Sequence, residues 1–108
     1  MKIGEIILIP FPFAELNNKK VRPAVIICET KDKYKDLVVC AISSVVPVTL
    51  GANEIRLQPD QINKLRADSI IKVDRIVTVK EHDVIAKIGK LDKDSLAVFI
   101  EKFKGLAD

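Results

Sequence analysis

The sequence contains few of the residues that mark specialised protein classes. Among its 108 residues are two cysteines, one histidine, four glycines, five prolines and no tryptophan. This composition excludes a disulfide scaffold, a collagen-like chain and a low-complexity chain. The longest uncharged apolar runs, Ile6–Ala14 and Leu37–Val48, are far shorter than the ~20 residues of a membrane span. No signal-peptide pattern is visible at the start, so we expect a cytoplasmic protein with no membrane association.

Charge of one sign is not in large excess either. The 18 basic and 15 acidic residues leave a formal net charge of +3, which permits an anionic partner but does not argue for one. The sequence has no metal-ligand spacing and no glycine-rich phosphate loop. We therefore expect neither a metal nor another cofactor.

The two cysteines, Cys28 and Cys40, each end a short apolar run. This position predicts two reduced, buried thiols in a cytoplasmic protein. A bridge between them across neighbouring strands stays open at this point.

Most of the chain has the pattern of β-strands. Apolar and β-branched residues predict strands at Ile3–Ile9, Val21–Cys28, Leu37–Ser43, Glu54–Leu57, Asp68–Val79 and Val84–Ile88. Over Asp68–Val79 the alternation places Ile70, Lys72, Asp74 and Ile76 on one side of the strand. Pro59–Leu65, between two strands, is expected to form one helical turn.

The period changes at the end of the chain. Apolar residues recur there at helical spacing, at Leu96, Phe99, Ile100, Phe103 and Ala107. Asp92 stands at the N-cap position of this helix, and Gly105 can end it. The predicted fold is mainly β, a strongly bent antiparallel sheet or partly open barrel of five to six strands with a C-terminal helix, in a single domain over residues 1–108.

Four side chains are candidates for chemistry. Pro23 favours an extended backbone at Arg22, whose guanidinium can then present its fork of donors to a phosphate or carboxylate. The alternative for Arg22 is a surface ion pair. Ser43 and Ser44 end a buried strand, where a hydroxyl is held on a rigid platform, although a strand-end serine also bonds to its own backbone. His82 lies in a charged turn and is typical of a solvated surface residue.

Five segments in order along the chain resemble the MazF/PemK-like toxins of bacterial toxin–antitoxin systems. They are Gly4–Phe13 with its Pro10-Phe11-Pro12-Phe13 sequence, Lys20–Ile26, Ala41–Ser44, Asp68–Ile76 and Lys87–Leu91. The Pro-Phe-Pro-Phe start is similar to the PemK-like branch of the family. The resemblance implies an SH3-like barrel, a homodimer, an antitoxin that binds and blocks the site, and contact with DNA only through that antitoxin.

The resemblance also implies a metal-independent endoribonuclease that acts on single-stranded RNA. The family's catalytic arginine falls on Arg22, and its threonine or serine falls on Ser43. Lys19, Lys20, Ser44, Lys72 and Arg75 are candidates for contacts with RNA, and the loop Glu15–Lys20 is expected to cover the site. This loop lacks the glycines common in the MazF branch, and Ser43 stands where threonine is more familiar.

Two other functions stay open from the sequence. One is a non-catalytic family member that binds RNA or an antitoxin without cutting. The other is a protein poison of the same fold that binds DNA gyrase. The presence of both Arg22-Pro23 and Ile42-Ser43 favours phosphate chemistry, because a toxin that only binds another protein needs neither motif.

Overall fold

The computed structural model describes residues 1–10 and 20–108. Phe11–Lys19 lie outside the described residues, so Lys19 and most of the loop expected to cover the site are not described. Six antiparallel strands form one sheet: β1 (Glu5–Pro10), β2 (Val21–Glu29), β3 (Leu37–Ser43), β4 (Glu54–Leu57), β5 (Ser69–Val79) and β6 (Ala86–Lys90). Their spatial order is β4-β5-β3-β2-β1-β6, and the sheet curls into a half-barrel.

The predicted mainly β architecture is confirmed. The sixth strand starts two residues later than predicted, at Ala86. The reason is a short 3₁₀ turn at Glu81–Asp83, in which the backbone N–H of Val84 donates to the carbonyl of Glu81. Pro59–Leu65 holds one helical hydrogen bond, from Lys64 N–H to Asp60 O, and Lys64 ends the turn with a φ of 54°.

A single α-helix, α1 (Lys93–Gly105), follows the sheet. The Asp92 side chain caps it by accepting a 2.7 Å hydrogen bond from the backbone N–H of Ser95, as the sequence predicts. Phe99 is fully buried and anchors the helix against the sheet. In the described part of the chain, no helix has the length and apolar character needed to cross a membrane.

Alternation along the strands divides the core between two faces of the sheet. On the helix face, Ile6, Val25 and Cys40 pack in one cluster with Phe99. On the second face, Ile7, Ala24 and Val39 belong to a separate buried cluster. Each large aliphatic side chain buried in this way stabilises the fold by about 1.5–3 kcal/mol.

A bulge in β5 overturns part of the predicted alternation. Lys72 pairs with Ala41, but the next pair along joins Ile76 to Cys40, which leaves Val73–Arg75 without partners on β3. Successive side chains of a strand point to opposite faces of the sheet. An insertion of three residues, an odd number, therefore moves the side chains beyond the bulge to the other face. The prediction that Lys72 and Ile76 share one side of the strand is therefore wrong.

Both cysteines are free. Cys40 is buried as expected, its Sγ lies 3.2 Å from the carbonyl oxygen of Val73, and burial raises the pKa of its thiol to about 12. Cys28 is exposed, which contradicts the expectation of two buried thiols. A register shift between Ile26 and Cys28 accounts for the difference, because it interrupts the alternation at the end of β2.

Candidate active site

The register of β2 and β3 brings Arg22 and Ser43 to the same end of the sheet, two residues beyond the last pair of the ladder. Ala24 pairs with Ala41, and Arg22 and Ser43 stand two residues further along their strands in the same register. Opposite residues of an antiparallel pair have Cα atoms about 4.5–5.5 Å apart where the ladder continues, and their side chains lie on the same face. A guanidinium and a hydroxyl from distant parts of the sequence thus share one end and one face of the sheet.

Arg22 is held by its neighbours in the sheet. It pairs with Ile9 of β1, and the next residue, Pro23, keeps the backbone extended. The side chain is half-buried. Among residues 1–10 and 20–108, no carboxylate forms an ion pair with the guanidinium of Arg22.

The hydroxyl of Ser43 is oriented by its own backbone. Its Oγ accepts a 3.1 Å hydrogen bond from the N–H of Val45. A serine hydroxyl has one proton to donate and two lone pairs, so this bond leaves the proton free. The local backbone bond foreseen from the sequence is therefore present and leaves Ser43 able to donate to a ligand.

Lys72 adds a second cation to this face. It is half-buried and pairs with Ala41, which makes it a diagonal neighbour of Ser43 across two strands. Diagonal neighbours are about 7–8 Å apart, within reach of a long side chain. This arrangement suits a phosphate group.

The other predicted RNA contacts are more dispersed. Lys20 is exposed immediately before β2, two residues from Arg22. Ser44 lines a cavity of about 560 Å³ together with Val21 and Pro23. Arg75 is exposed within the β5 bulge, where it has no partner on β3, so it is not aligned across the strands with Arg22 or Ser43.

Three cations that the sequence did not predict lie towards the same end of the sheet. Arg56 of β4 is aligned across the sheet with Ser43, because both residues pair with Ile70 of β5. The guanidinium of Arg56 binds the Asp68 carboxylate at 2.9 Å. Lys64 and Arg66 line the cavity that contains Ser44. The sequence signal for Lys64 and Arg66 is their position on either side of Leu65. Because Leu65 is buried, its two charged neighbours lie on the protein surface.

His82 lies at the other end of the strands. Its 3₁₀ turn follows Val79, which pairs with Leu37 at the start of β3, six residues from Ser43. Six strand residues span about 20 Å. The exposed imidazole is 3.5 Å from Asp83, so His82 is a solvated turn residue and stands apart from Arg22. Within the described ranges, no three His, Cys, Asp or Glu side chains are grouped as metal ligands.

The comparisons with known proteins agree with this fold. A family model described as PemK-like, MazF-like toxin of type II toxin-antitoxin system matches residues 2–104, and the chain belongs to this family. Among solved structures, the chain is similar to the Mycobacterium tuberculosis toxin MazF-mt6, with a TM-score of 0.72, 20% sequence identity and 96% of each chain covered. No curated protein matches the chain in sequence. Membership of a type II toxin family implies an antitoxin partner.

Proposed function

We propose that this toxin is a cytoplasmic endoribonuclease that cuts single-stranded RNA, including mRNA, without a metal cofactor. The observation that carries the proposal is the register of β2 and β3: its last pair is Ala24 with Ala41, and Arg22 and Ser43 each lie two residues beyond it at the same end of the sheet. RNA supplies its own nucleophile, the 2′-OH beside each phosphate. A protein that cleaves it therefore needs above all to orient that oxygen and to stabilise charge on the phosphorus.

In this mechanism the 2′-oxygen forms a bond to phosphorus while the bond from phosphorus to the 5′-oxygen breaks. The 2′-OH gives up its proton, and the departing 5′-oxygen gains one. The products are a 2′,3′-cyclic phosphate and a 5′-OH end. Arg22 binds two phosphate oxygens and stabilises the charge that builds on them. Because a guanidinium stays protonated in proteins, Arg22 is not the base.

Ser43 donates its free proton to a phosphate oxygen, supported by the Val45 N–H bond that orients the hydroxyl. Lys72 and Lys20 contact neighbouring phosphates. Lys19, Ser44 and Arg75 remain proposed RNA contacts, and we propose that the protein acts as a homodimer. The antitoxin would bind over the Arg22 site and block RNA.

Cleavage of labelled single-stranded RNA in the presence of EDTA tests this function. Loss of one well-placed transition-state donor lowers the rate by about 10²–10³. We therefore expect Arg22→Ala to lose cleavage by about this factor while its thermal melting stays near that of the wild type. Ser43→Ala should lose less, and Ser43→Thr should keep most of the activity because the hydroxyl remains.

Arg56→Ala is the matched control, because Arg56 is aligned across the sheet with Ser43 but its guanidinium is bound to Asp68. We expect it to cleave within a few-fold of the wild type. Full cleavage by Arg22→Ala would refute the proposed site. RNA that binds to the wild type and stays intact would instead indicate a non-catalytic member, and arrest of supercoiling by DNA gyrase with intact RNA would indicate a protein poison.

A further inference from the structure

A groove runs along the start of β1, the edge strand β6 and the first turn of α1. It encloses about 990 Å³, and its rim carries five lysines: Lys2, Lys64, Lys87, Lys90 and Lys93. We call it the lysine groove. Two carboxylates, Glu5 and Asp92, also line it, so its formal charge is +3. The chain as a whole is also +3, and the remaining 13 basic and 13 acidic residues balance. The excess positive charge of the protein therefore lies in this groove.

Both carboxylates of the groove are already bound within the protein. Glu5 accepts a 2.7 Å hydrogen bond from the backbone N–H of Lys2 and forms a 2.5 Å ion pair with Lys87. Asp92 caps α1. In the part of the chain that the structure describes, the ammonium groups of Lys64, Lys90 and Lys93 form no ion pair. These lysines are available to an incoming anion.

The floor of the groove is aliphatic. Ile3 and Ile62 are 41% and 45% exposed there, and Ile88 and Leu96 line it as well. Among the described residues that line the groove, none is aromatic and none is an arginine. Single-stranded nucleic acid is held by stacking its bases on such planar groups, so RNA is a poor fit. Aliphatic side chains beneath a rim of ammonium groups instead suit a polypeptide that carries both carboxylates and aliphatic residues.

The walls of the groove are fixed before any partner binds. A Cβ added at Gly89 would lie 2.5 Å from the carbonyl oxygens of both Ile62 and Asn63, so the turn that contains them packs directly on β6. Asn63 is buried, and its side chain accepts from the backbone N–H groups of Asp60 and Leu65 and donates to the carbonyl of Gln58. A preformed groove reduces the entropic cost of binding.

We propose that the lysine groove binds an acidic amphipathic segment of a partner protein. Aliphatic side chains of that segment pack on Ile3 and Ile62, and its carboxylates meet the lysines of the rim. Neither Arg22 nor Ser43 lines the groove, so this interaction does not depend on RNA cleavage.

Fluorescence anisotropy with three labelled probes tests the proposal. The probes are a short peptide of glutamate with leucine at every third or fourth position, a glutamate-only peptide of equal length, and a single-stranded RNA of similar length. We expect the mixed peptide to bind most tightly. The double variant Lys90→Glu/Lys93→Glu should weaken its binding by about tenfold or more, because two attractive contacts become repulsive.

The matched control is Lys31→Glu/Lys33→Glu, which makes the same charge change at two exposed lysines of the β2–β3 turn. It should bind the mixed peptide within a few-fold of the wild type. Ile62→Ser changes no charge and should weaken the mixed peptide but not the glutamate-only peptide. Circular dichroism checks that each variant is folded, and Arg22→Ala should bind the mixed peptide like the wild type whether or not it cleaves RNA.

Three results would overturn the proposal. The first is equal binding of the mixed and glutamate-only peptides, which would mean that the aliphatic floor plays no part. The second is unchanged binding of the mixed peptide to Lys90→Glu/Lys93→Glu. The third is loss of RNA binding in that variant with peptide binding intact, which would assign the groove to RNA.

Discussion

The two cationic surfaces of this toxin are built in different ways. At the Arg22 site, a guanidinium on a paired strand and a hydroxyl oriented by its own backbone lie at the same end of the sheet. In the lysine groove, flexible side chains surround an aliphatic floor. A guanidinium fork matches the geometry of two phosphate oxygens, whereas an ammonium group supplies charge with little directional preference. The first surface is suited to orienting one phosphate, and the second to attracting a partner whose carboxylates are spread along a chain.

Exchange of arginine and lysine tests this difference most strongly. Arg22→Lys keeps the charge but removes the fork, so we expect RNA cleavage to fall by about 10². In the groove, Lys90→Arg/Lys93→Arg should leave binding of the mixed peptide within a few-fold of the wild type. Initial cleavage rates and anisotropy titrations on the same preparations measure the two effects. Near-normal cleavage by Arg22→Lys would show that charge alone suffices at the Arg22 site.

The two surfaces also differ in how well the sequence predicts them. The Arg22 site is visible because Pro23 restricts its neighbour locally and Ser43 closes an apolar strand. Most strand bounds and the Asp92 cap could be predicted for the same reason, since alternation and capping depend on adjacent residues. That Arg22 and Ser43 lie at the same end of the sheet depends on the register of two strands, which neighbouring residues do not determine. From the sequence, only the family resemblance linked the two residues.

The lysine groove has no local signal in the sequence. Its lysines come from separate segments around residues 2, 64, 87–90 and 93. They meet because β1 pairs with β6 and because the turn before Leu65 packs against β6. The β5 bulge was missed for a related reason. Its three unpaired residues, Val73–Arg75, lie inside one continuous strand, and only the pairing with β3 reveals them.

A substitution at Gly89 should disrupt the packing between the Pro59–Leu65 turn and β6. In Gly89→Ala the new methyl group would overlap two backbone oxygens that no side-chain rotation can move. Overpacking of this kind costs about 1–3 kcal/mol, so Tm should fall by roughly 5–15 °C. Because the same turn forms a wall of the groove, binding of the mixed peptide should weaken, whereas RNA cleavage below the new Tm should persist.

Gly105→Ala is the control for that substitution. A Cβ at Gly105 meets nothing within 4 Å, and the residue lies in α1. Alanine is favoured over glycine in a helix by about 0.5–1 kcal/mol, so this variant should melt slightly above the wild type. If Gly89→Ala melted like the wild type with unchanged peptide binding, the turn would not be the rigid wall described above.

The smallest expected effect concerns the ion pair inside the groove. The hydrogen bond from Lys87 and that from the backbone N–H of Lys2 hold the pKa of Glu5 below its ordinary value, against the opposing effect of burial. A carboxylate with a lowered folded-state pKa stabilises the fold above its unfolded-state pKa, and this contribution is lost as the pH falls through the folded-state value. The difference in Tm between wild type and Glu5→Gln should therefore be largest near pH 7 and shrink below about pH 4.3.

Thermal melts of both proteins between neutral and acidic pH measure this contribution. Asp68→Asn is the control, because the Arg56–Asp68 pair is half-exposed and such pairs contribute little to stability. A Tm difference that stays constant across the acidic range would mean that the Glu5 charge does not stabilise the fold.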